Sequence, residues 1–164
     1  MSKFLISIAA AIILMAAPAW ADSQKGMDAF NRGDYDIALR EFGPAGEQSD
    51  AKVQYFLGAM YEFGRPGFRL SIVEAVKWYR WAAKQGHAHA QYSLGVIYGS
   101  DERVTPDYVQ AHMWLSLAIP RLPQGKYLAR AVNSRDIIAA KMTPAQTAEA
   151  QRLAREWKPK KEGR

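Results

Sequence analysis

The sequence contains no cysteine among its 164 residues. The chain therefore forms no disulfide bond, has no thiol nucleophile, and lacks the cysteine that a lipoprotein anchor requires after its signal sequence. It also lacks Gly-x-Ser-x-Gly and His-Glu-x-x-His, which mark common serine and zinc hydrolases. These absences favour a protein that is stabilised by packing alone, and we expect no enzymatic activity, no metal site and no cofactor.

Only one long apolar run is present, and it lies at the start of the chain. Lys3 precedes the uncharged stretch FLISIAAAIILMAAPA, and small residues occupy positions 19 and 21. This pattern predicts a signal peptide over residues 1–21 that is cleaved after Ala21. The alternative, a membrane anchor, is less favoured because the run is shorter than the roughly 20 residues that a spanning helix needs. We therefore expect a periplasmic or secreted protein without a later transmembrane segment.

The rest of the chain is built from internal copies. AKVQYFLGAMYEFG at 51–64 matches AHAQYSLGVIYGSD at 88–101 with a shift of 37 residues. EAVKWYRWAAKQG at 74–86 matches QAHMWLSLA at 110–118 with a shift of 36 residues. A fixed period of this length is typical of stacked helical repeats, in which every unit needs the same packing residues. The copied residues are therefore interpreted as packing signatures and not as a duplicated catalytic motif.

Helical spacing of the small and aromatic residues predicts two helices in each copy. Ser71 and Asp107 are predicted to cap second helices, and Thr143 with Gln146 is predicted to form a capping box. The predicted fold is an all-α, right-handed α-solenoid of about four antiparallel helix pairs. The predicted units are repeats at about 22–50, 51–87 and 88–124, a C-terminal capping pair at 125–157, and a basic flexible tail at 158–164.

The motif LGxxY in the first helix and AxxWYxxAAxxG in the second resemble the Sel1-like repeat family, a relative of the tetratricopeptide repeat. The resemblance implies an α-solenoid that acts as a non-enzymatic interaction module. The second copy departs from the family pattern, because Asp101 and Arg103 stand where glycines are usual and Leu115 replaces a tyrosine. The residues assigned to the repeat motif are Leu57, Gly58, Tyr61, Ala75, Trp78, Leu94, Gly95, Tyr98, Ala111 and Trp114.

The histidines and carboxylates give no clear chemical site. His87 and His89 form a His-x-His pair, but no convincing third and fourth ligand for zinc accompanies them. We expect the histidines, including His112, to lie on the surface. The glutamates are scattered, and no two of them suggest an acid and base pair.

In tetratricopeptide proteins the first helices of the pairs line a concave surface, and this analogy predicts where a partner binds. The predicted function is a non-enzymatic scaffold in the bacterial cell envelope that holds another protein or a peptide there. The same residues are alternatively interpreted as contacts between neighbouring repeats. The predicted partner-binding residues are Lys52, Tyr55, Glu62, Phe63, His89, Tyr92 and Val96.

Two other functions remain open at this stage. One is a cell-wall or polysaccharide-associated accessory protein or hydrolase. The other is a polyanion or membrane-surface binder that uses the basic C-terminal tail, through Lys158, Lys160, Lys161 and Arg164. Export makes nucleic acid an unexpected partner, and the sequence does not define the oligomeric state.

Overall fold

The computed structural model describes residues 19–42, 51–67 and 69–160. Within these ranges the chain forms eight α-helices and no strand, which confirms the predicted all-α solenoid. Most of the predicted signal peptide, residues 1–18, lies outside the described residues, as do Lys161 and Arg164. The helices are α1 (Ala19–Arg32), α2 (Tyr35–Phe42), α3 (Ala51–Phe63), α4 (Ile72–Lys84), α5 (Ala88–Ser100), α6 (Tyr108–Ala118), α7 (Lys126–Ala139) and α8 (Pro144–Glu156).

The predicted caps begin their helices as expected. The side chains of Ser71 and Asp107 each accept a hydrogen bond from the backbone amide three residues later, at 3.3 and 3.0 Å. Thr143 and Gln146 form the complete capping box at the start of α8. Each cap satisfies amide groups that have no partner inside the helix. The sequence therefore fixes where α4, α6 and α8 begin.

Glycines allow the two helices of a repeat to approach closely. A Cβ atom placed on Gly58 of α3 would lie 2.6 Å from the ring of Tyr79 in α4. A Cβ atom on Gly95 of α5 would lie 2.5 Å from Cγ of Leu115 in α6. Leu115 corresponds to Tyr79 in the repeat alignment, so the same contact is made twice with different side chains. These contacts explain why the repeat requires glycine at this position.

The other motif residues also lie between helices. Leu57, Ala75, Leu94 and Ala111 are at most 1% exposed. Trp114 is buried, while Tyr61, Trp78 and Tyr98 are partly buried against the hydrophobic clusters. The two copies of the motif thus occupy equivalent places in consecutive helix pairs.

The C-terminal helices pack differently from the earlier pairs, because α7 and α8 both lie mainly against α6. His112 lies on α6 and was predicted to be on the surface. That prediction is wrong, because these helices cover α6 and leave His112 only 6% exposed. α6 is covered by α5, α7 and α8, so it is buried on nearly every side and not along one stripe.

Residues after α8 return to the start of the third repeat. The ring of Trp157 lies against Gly86, in the turn between α4 and α5. A Cβ atom placed on Gly86 would lie 3.8 Å from this ring. The guanidinium of Arg121 lies 5.1 Å from the centre of the same ring. The amide of Lys160 then donates a hydrogen bond of 2.9 Å to the carbonyl oxygen of Lys84. The segment at 158–160, predicted as the beginning of the tail, therefore runs beside the end of α4.

Candidate functional site

A groove runs along the face formed by the first helices of the pairs. Its central part has a volume of about 280 Å³ and lies between α3, α5 and the first turns of α7, with Tyr79 of α4 at its base. Most of the lining is aromatic, and it contains one acid and one base. The lining residues are Tyr55, Glu62, Phe63, Tyr79, Tyr92, Ser93, Val96, Tyr127 and Arg130.

Two shallower depressions continue this groove at either side of Tyr55. One, of about 320 Å³, is lined by Lys52, Tyr55, Phe56, His87, His89 and Tyr127. The other, of about 170 Å³, is lined by Phe30, Tyr55, Phe56, Ala59, Met60, Phe63 and Arg65. The three depressions share lining residues and together form one surface from α1 to α7, here called the concave groove.

The structure brings together all of the residues that the sequence predicted for partner binding. Glu62, Phe63, Tyr92 and Val96 line the central part, Lys52 and His89 line one flank, and Tyr55 lies in all three depressions. Sequence reasoning missed Tyr127 and Arg130, because α7 was assigned to the capping pair and not to the binding surface. The sequence did place both residues near the start of α7, which directly follows the third repeat. That position could have assigned them to the same surface as the first helices.

The aromatic side chains of the concave groove contact one another. The rings of Tyr55 and His87 stack with centroids 4.7 Å apart. Tyr127 makes edge-to-face contacts with His89 and Tyr92, at 5.1 and 5.8 Å between ring centroids. Such contacts stabilise the ring orientations and form a pre-organised apolar lining. Tyr127 is 36% exposed, so part of its ring remains accessible to a ligand.

Glu62 is the only carboxylate among the described residues that line the central groove. Its Oε2 atom accepts a hydrogen bond of 2.6 Å from the hydroxyl of Tyr79. Burial raises the pKa of Glu62 above its ordinary value, although the Tyr79 bond and the charge of Arg103 both act to lower it. Glu62 therefore combines partial burial with a fixed orientation, which makes it a directional acceptor inside the groove.

Two tyrosines of the groove, Tyr55 and Tyr92, remain neutral at physiological pH. Burial is the main cause that raises the pKa of Tyr55 to about 12. Burial also raises the pKa of Tyr92, while the positive charge of Arg130 partly opposes that shift. Neutral phenols donate and accept hydrogen bonds and offer aromatic faces at once. The groove therefore suits a ligand that has both apolar and polar groups.

The loop after α5 supports Glu62 from outside the groove. Arg103 forms an ion pair of 2.6 Å with Asp101, and its Nη1 atom donates to the backbone oxygen of Glu62 at 3.4 Å. The hydrogen bond from Arg103 holds the pKa of Asp101 below its ordinary value. The two residues that depart from the family's glycines thus connect this loop to the end of α3.

No group of three or more His, Cys, Asp or Glu side chains in the described ranges could hold a metal ion. One Ser-x-x-Lys spacing occurs at Ser49 and Lys52, and Ser49 lies outside the described residues. The groove itself is lined by aromatic side chains, phenol hydroxyls and one oriented carboxylate.

These features define an α-solenoid whose consecutive helix pairs carry a concave groove. The Sel1 repeat family model matches residues 51–87 and 88–119, which contain the two copies found by the internal alignment. The chain therefore contains two Sel1 repeats. Proteins of this family generally act as non-catalytic protein-interaction modules, and repeat proteins of this kind typically bind other proteins.

Two solved structures resemble the chain over most of its length. A protective antigen of uropathogenic Escherichia coli that displays an SLR fold shares 27% identity, with a TM-score of 0.70 over 86% of this chain and 30% of its own. A Sel1 repeat protein from Oxalobacter formigenes shares 29% identity, with a TM-score of 0.57 over 83% of this chain and 62% of its own. The chain thus spans less than two thirds of the length of either. No curated protein sequence matches it.

None of the helices within the described ranges is both long and apolar enough to cross a bilayer.

Proposed function

We propose that the protein is a scaffold of the bacterial cell envelope that binds an extended segment of another protein in the concave groove. The observation that carries the proposal is the convergence of three separate helices, α3, α5 and α7, on one aromatic groove with an oriented carboxylate. Aromatic side chains supply large contact areas at a small cost in conformational entropy and often dominate binding energy. The signal-peptide pattern at residues 1–21 supports the envelope as the location.

The shape of the groove favours a segment over a small molecule. It extends along α3 from Lys52 to Phe63, which corresponds to about 16 Å at the rise of an α-helix. Its depressions are shallow and continuous, and Tyr55 lies where all three meet. A segment of several residues would place side chains in successive depressions while Tyr55 contacts its centre. Glu62 would accept a hydrogen bond from the backbone or from a polar side chain of that segment.

The proposal is tested by a crosslinking pull-down with the tagged full chain in its own cell envelope. The groove variant carries Tyr92→Ala and Tyr127→Ala, and the matched control carries Tyr108→Ala and Ile137→Ala, which lie outside the groove. Circular dichroism first establishes that both variants fold. We expect one stoichiometric protein partner that the control retains and the groove variant loses. Recovery of cell-wall polymer without a protein partner, or equal recovery with both variants, would contradict the proposal.

A further inference from the structure

The outward face of α4 carries a second surface of different chemistry. A depression of about 400 Å³ is lined by Val73, Val76, Lys77, Arg80, Trp81 and Lys84. These residues follow one another at helical spacing along a single helix. The cationic and apolar side chains of this surface, here called the α4 face, are separate from those of the concave groove.

Exposed aliphatic groups lie at the beginning of the α4 face. Val73 is 72% exposed, and Leu70, just before the helix, is 59% exposed. Isolated exposed apolar residues are common, but here Val73 and Trp81 share one depression with three cations. A hydrated polyanion offers nothing for an exposed valine or leucine to contact. A lipid surface offers both phosphate groups and an apolar boundary.

One cation of the α4 face, Lys77, lies over two indole rings, while the guanidinium of Arg80 lies 5.8 Å from the ring centre of Tyr98. Nζ of Lys77 lies 5.1 Å from the ring centre of Trp81 and 5.8 Å from that of Trp78. The two indoles meet edge to face, with centroids 4.9 Å apart. Lys77 also forms an ion pair with Glu74 at 3.9 Å, a weak contact between exposed groups. Tryptophan beside lysine and arginine is typical of helices that lie at a membrane interface.

The C-terminal segment adds positive charge at the end of the same face. The backbone bond from Lys160 to Lys84 places residues 158–160 beside the last turn of α4. Lys160 therefore lies next to Lys84, and Lys158 is two residues away along the chain. Clustered basic residues each contribute about 1 kcal/mol of attraction to an anionic membrane surface.

We propose that the α4 face docks on an anionic lipid surface, with Val73 and Trp81 entering the interfacial region and Lys77, Arg80 and Lys84 contacting headgroup phosphates. Because this face is formed by the second helix of the repeat, docking leaves the concave groove available to a protein partner. The protein would then hold its partner close to a membrane without a spanning helix. This inference does not depend on the identity of that partner.

The test is cosedimentation of the full chain with vesicles of phosphatidylcholine, with and without phosphatidylglycerol. One variant carries Lys77→Gln, Arg80→Gln and Lys84→Gln. Its control carries Arg40→Gln, Lys126→Gln and Lys141→Gln, which removes the same charge from α2 and from the α7 region. A third variant carries the uncharged substitution Val73→Gln, at a position too exposed to affect folding.

We expect binding only to the phosphatidylglycerol vesicles, weakened by added salt because exposed charges are screened. The α4 variant should bind about a hundredfold more weakly, since each lost charge accounts for about fivefold. The control should retain most of the affinity of the unmodified chain, and Val73→Gln should weaken binding although no charge is changed. Equal losses in the α4 variant and its control would overturn the proposal, because net charge alone would then explain binding. Retention on an acidic polysaccharide with none on vesicles would overturn it as well.

Discussion

The hydroxyl of Tyr79 donates a hydrogen bond of 2.6 Å to Glu62, which connects the core between α3 and α4 to the base of the concave groove. Tyr79 is 1% exposed and also fills the space left by Gly58. One residue of the repeat motif therefore contributes both to packing and to the orientation of a groove side chain. In the following repeat Leu115 occupies the corresponding place, so this connection exists in one of the two copies.

Tyr79→Phe should raise the pKa of Glu62. The substitution removes the hydrogen bond that lowers this pKa and leaves the burial that raises it. The measurement is a carboxyl-carbon NMR titration of Glu62 in both proteins. Arg103→Gln, which removes the second lowering influence, should shift the pKa in the same direction. An unchanged or lower value in Tyr79→Phe would show that the hydroxyl does not stabilise the charged carboxylate.

Gly58→Ala should destabilise the protein by about 1–3 kcal/mol, because the new Cβ atom would overlap the buried ring of Tyr79. The free energy of unfolding is measured by urea denaturation. Gly99→Ala is the matched comparison, since its Cβ atom would meet chiefly the flexible end of Ile138 and should cost less. Equal costs for the two glycine variants would contradict the close-contact explanation.

Replacement of the two repeated glutamines by methionine should have unequal effects. Gln54 and Gln91 are both fully buried, but Gln54 Oε1 accepts a bond from Gln85 at 2.9 Å, whereas Gln91 Oε1 has no partner among the described residues. Gln54→Met should cost about 1 kcal/mol, because the partly buried side-chain amide of Gln85 loses this hydrogen bond. Gln91→Met should cost less, since the Ala83 oxygen that it contacts also receives the amide of Gly86. The free energies of unfolding of the two variants are measured by urea denaturation. Equal losses of stability would contradict the prediction.

The stability of the protein should fall below about pH 6.5 because of His112. Burial, followed by the charge of Arg135, lowers the pKa of His112 below the ordinary value of 6.5. The unfolded chain then binds the proton more readily, so the contribution of the neutral side chain is complete above pH 6.5 and is lost as the pH decreases toward the lowered pKa. His112→Gln should therefore show less acid destabilisation in urea unfolding across this range. Arg135→Gln should reduce the loss in the otherwise unmodified protein, and no difference between His112→Gln and the unmodified chain would contradict this origin.

The sequence predicted the helices and repeats well because these depend on local or periodic signals. The caps at Ser71, Asp107 and Thr143 follow from side-chain chemistry within a single turn. The placement of Tyr55 and Tyr92 on one surface follows from their shift of 37 residues, which puts them at equivalent positions of consecutive first helices.

The sequence could not predict contacts that depend on how α7 and α8 pack against the preceding helices. Tyr127 and Arg130 lie outside the matched repeats, so no periodicity connects them with Tyr55 or Tyr92. The prediction for His112 was wrong for the same reason: α7 and α8 both cover α6, and the composition of α6 alone does not distinguish this arrangement from an amphipathic helix. The return of Lys160 to Lys84 depends on a backbone bond, for which the side-chain sequence gives no signal.

The most direct test of the concave groove is site-specific photo-crosslinking with the full chain in its own cell envelope. Benzoylphenylalanine replaces Tyr92 in the groove, or Glu102 in the loop after α5 as the control. The account predicts one protein adduct from position 92, mapped by mass spectrometry to a single short segment of the partner, and none from position 102. Adducts of equal yield from both positions, or a position 92 that reacts only within its own chain, would contradict a binding function for the groove.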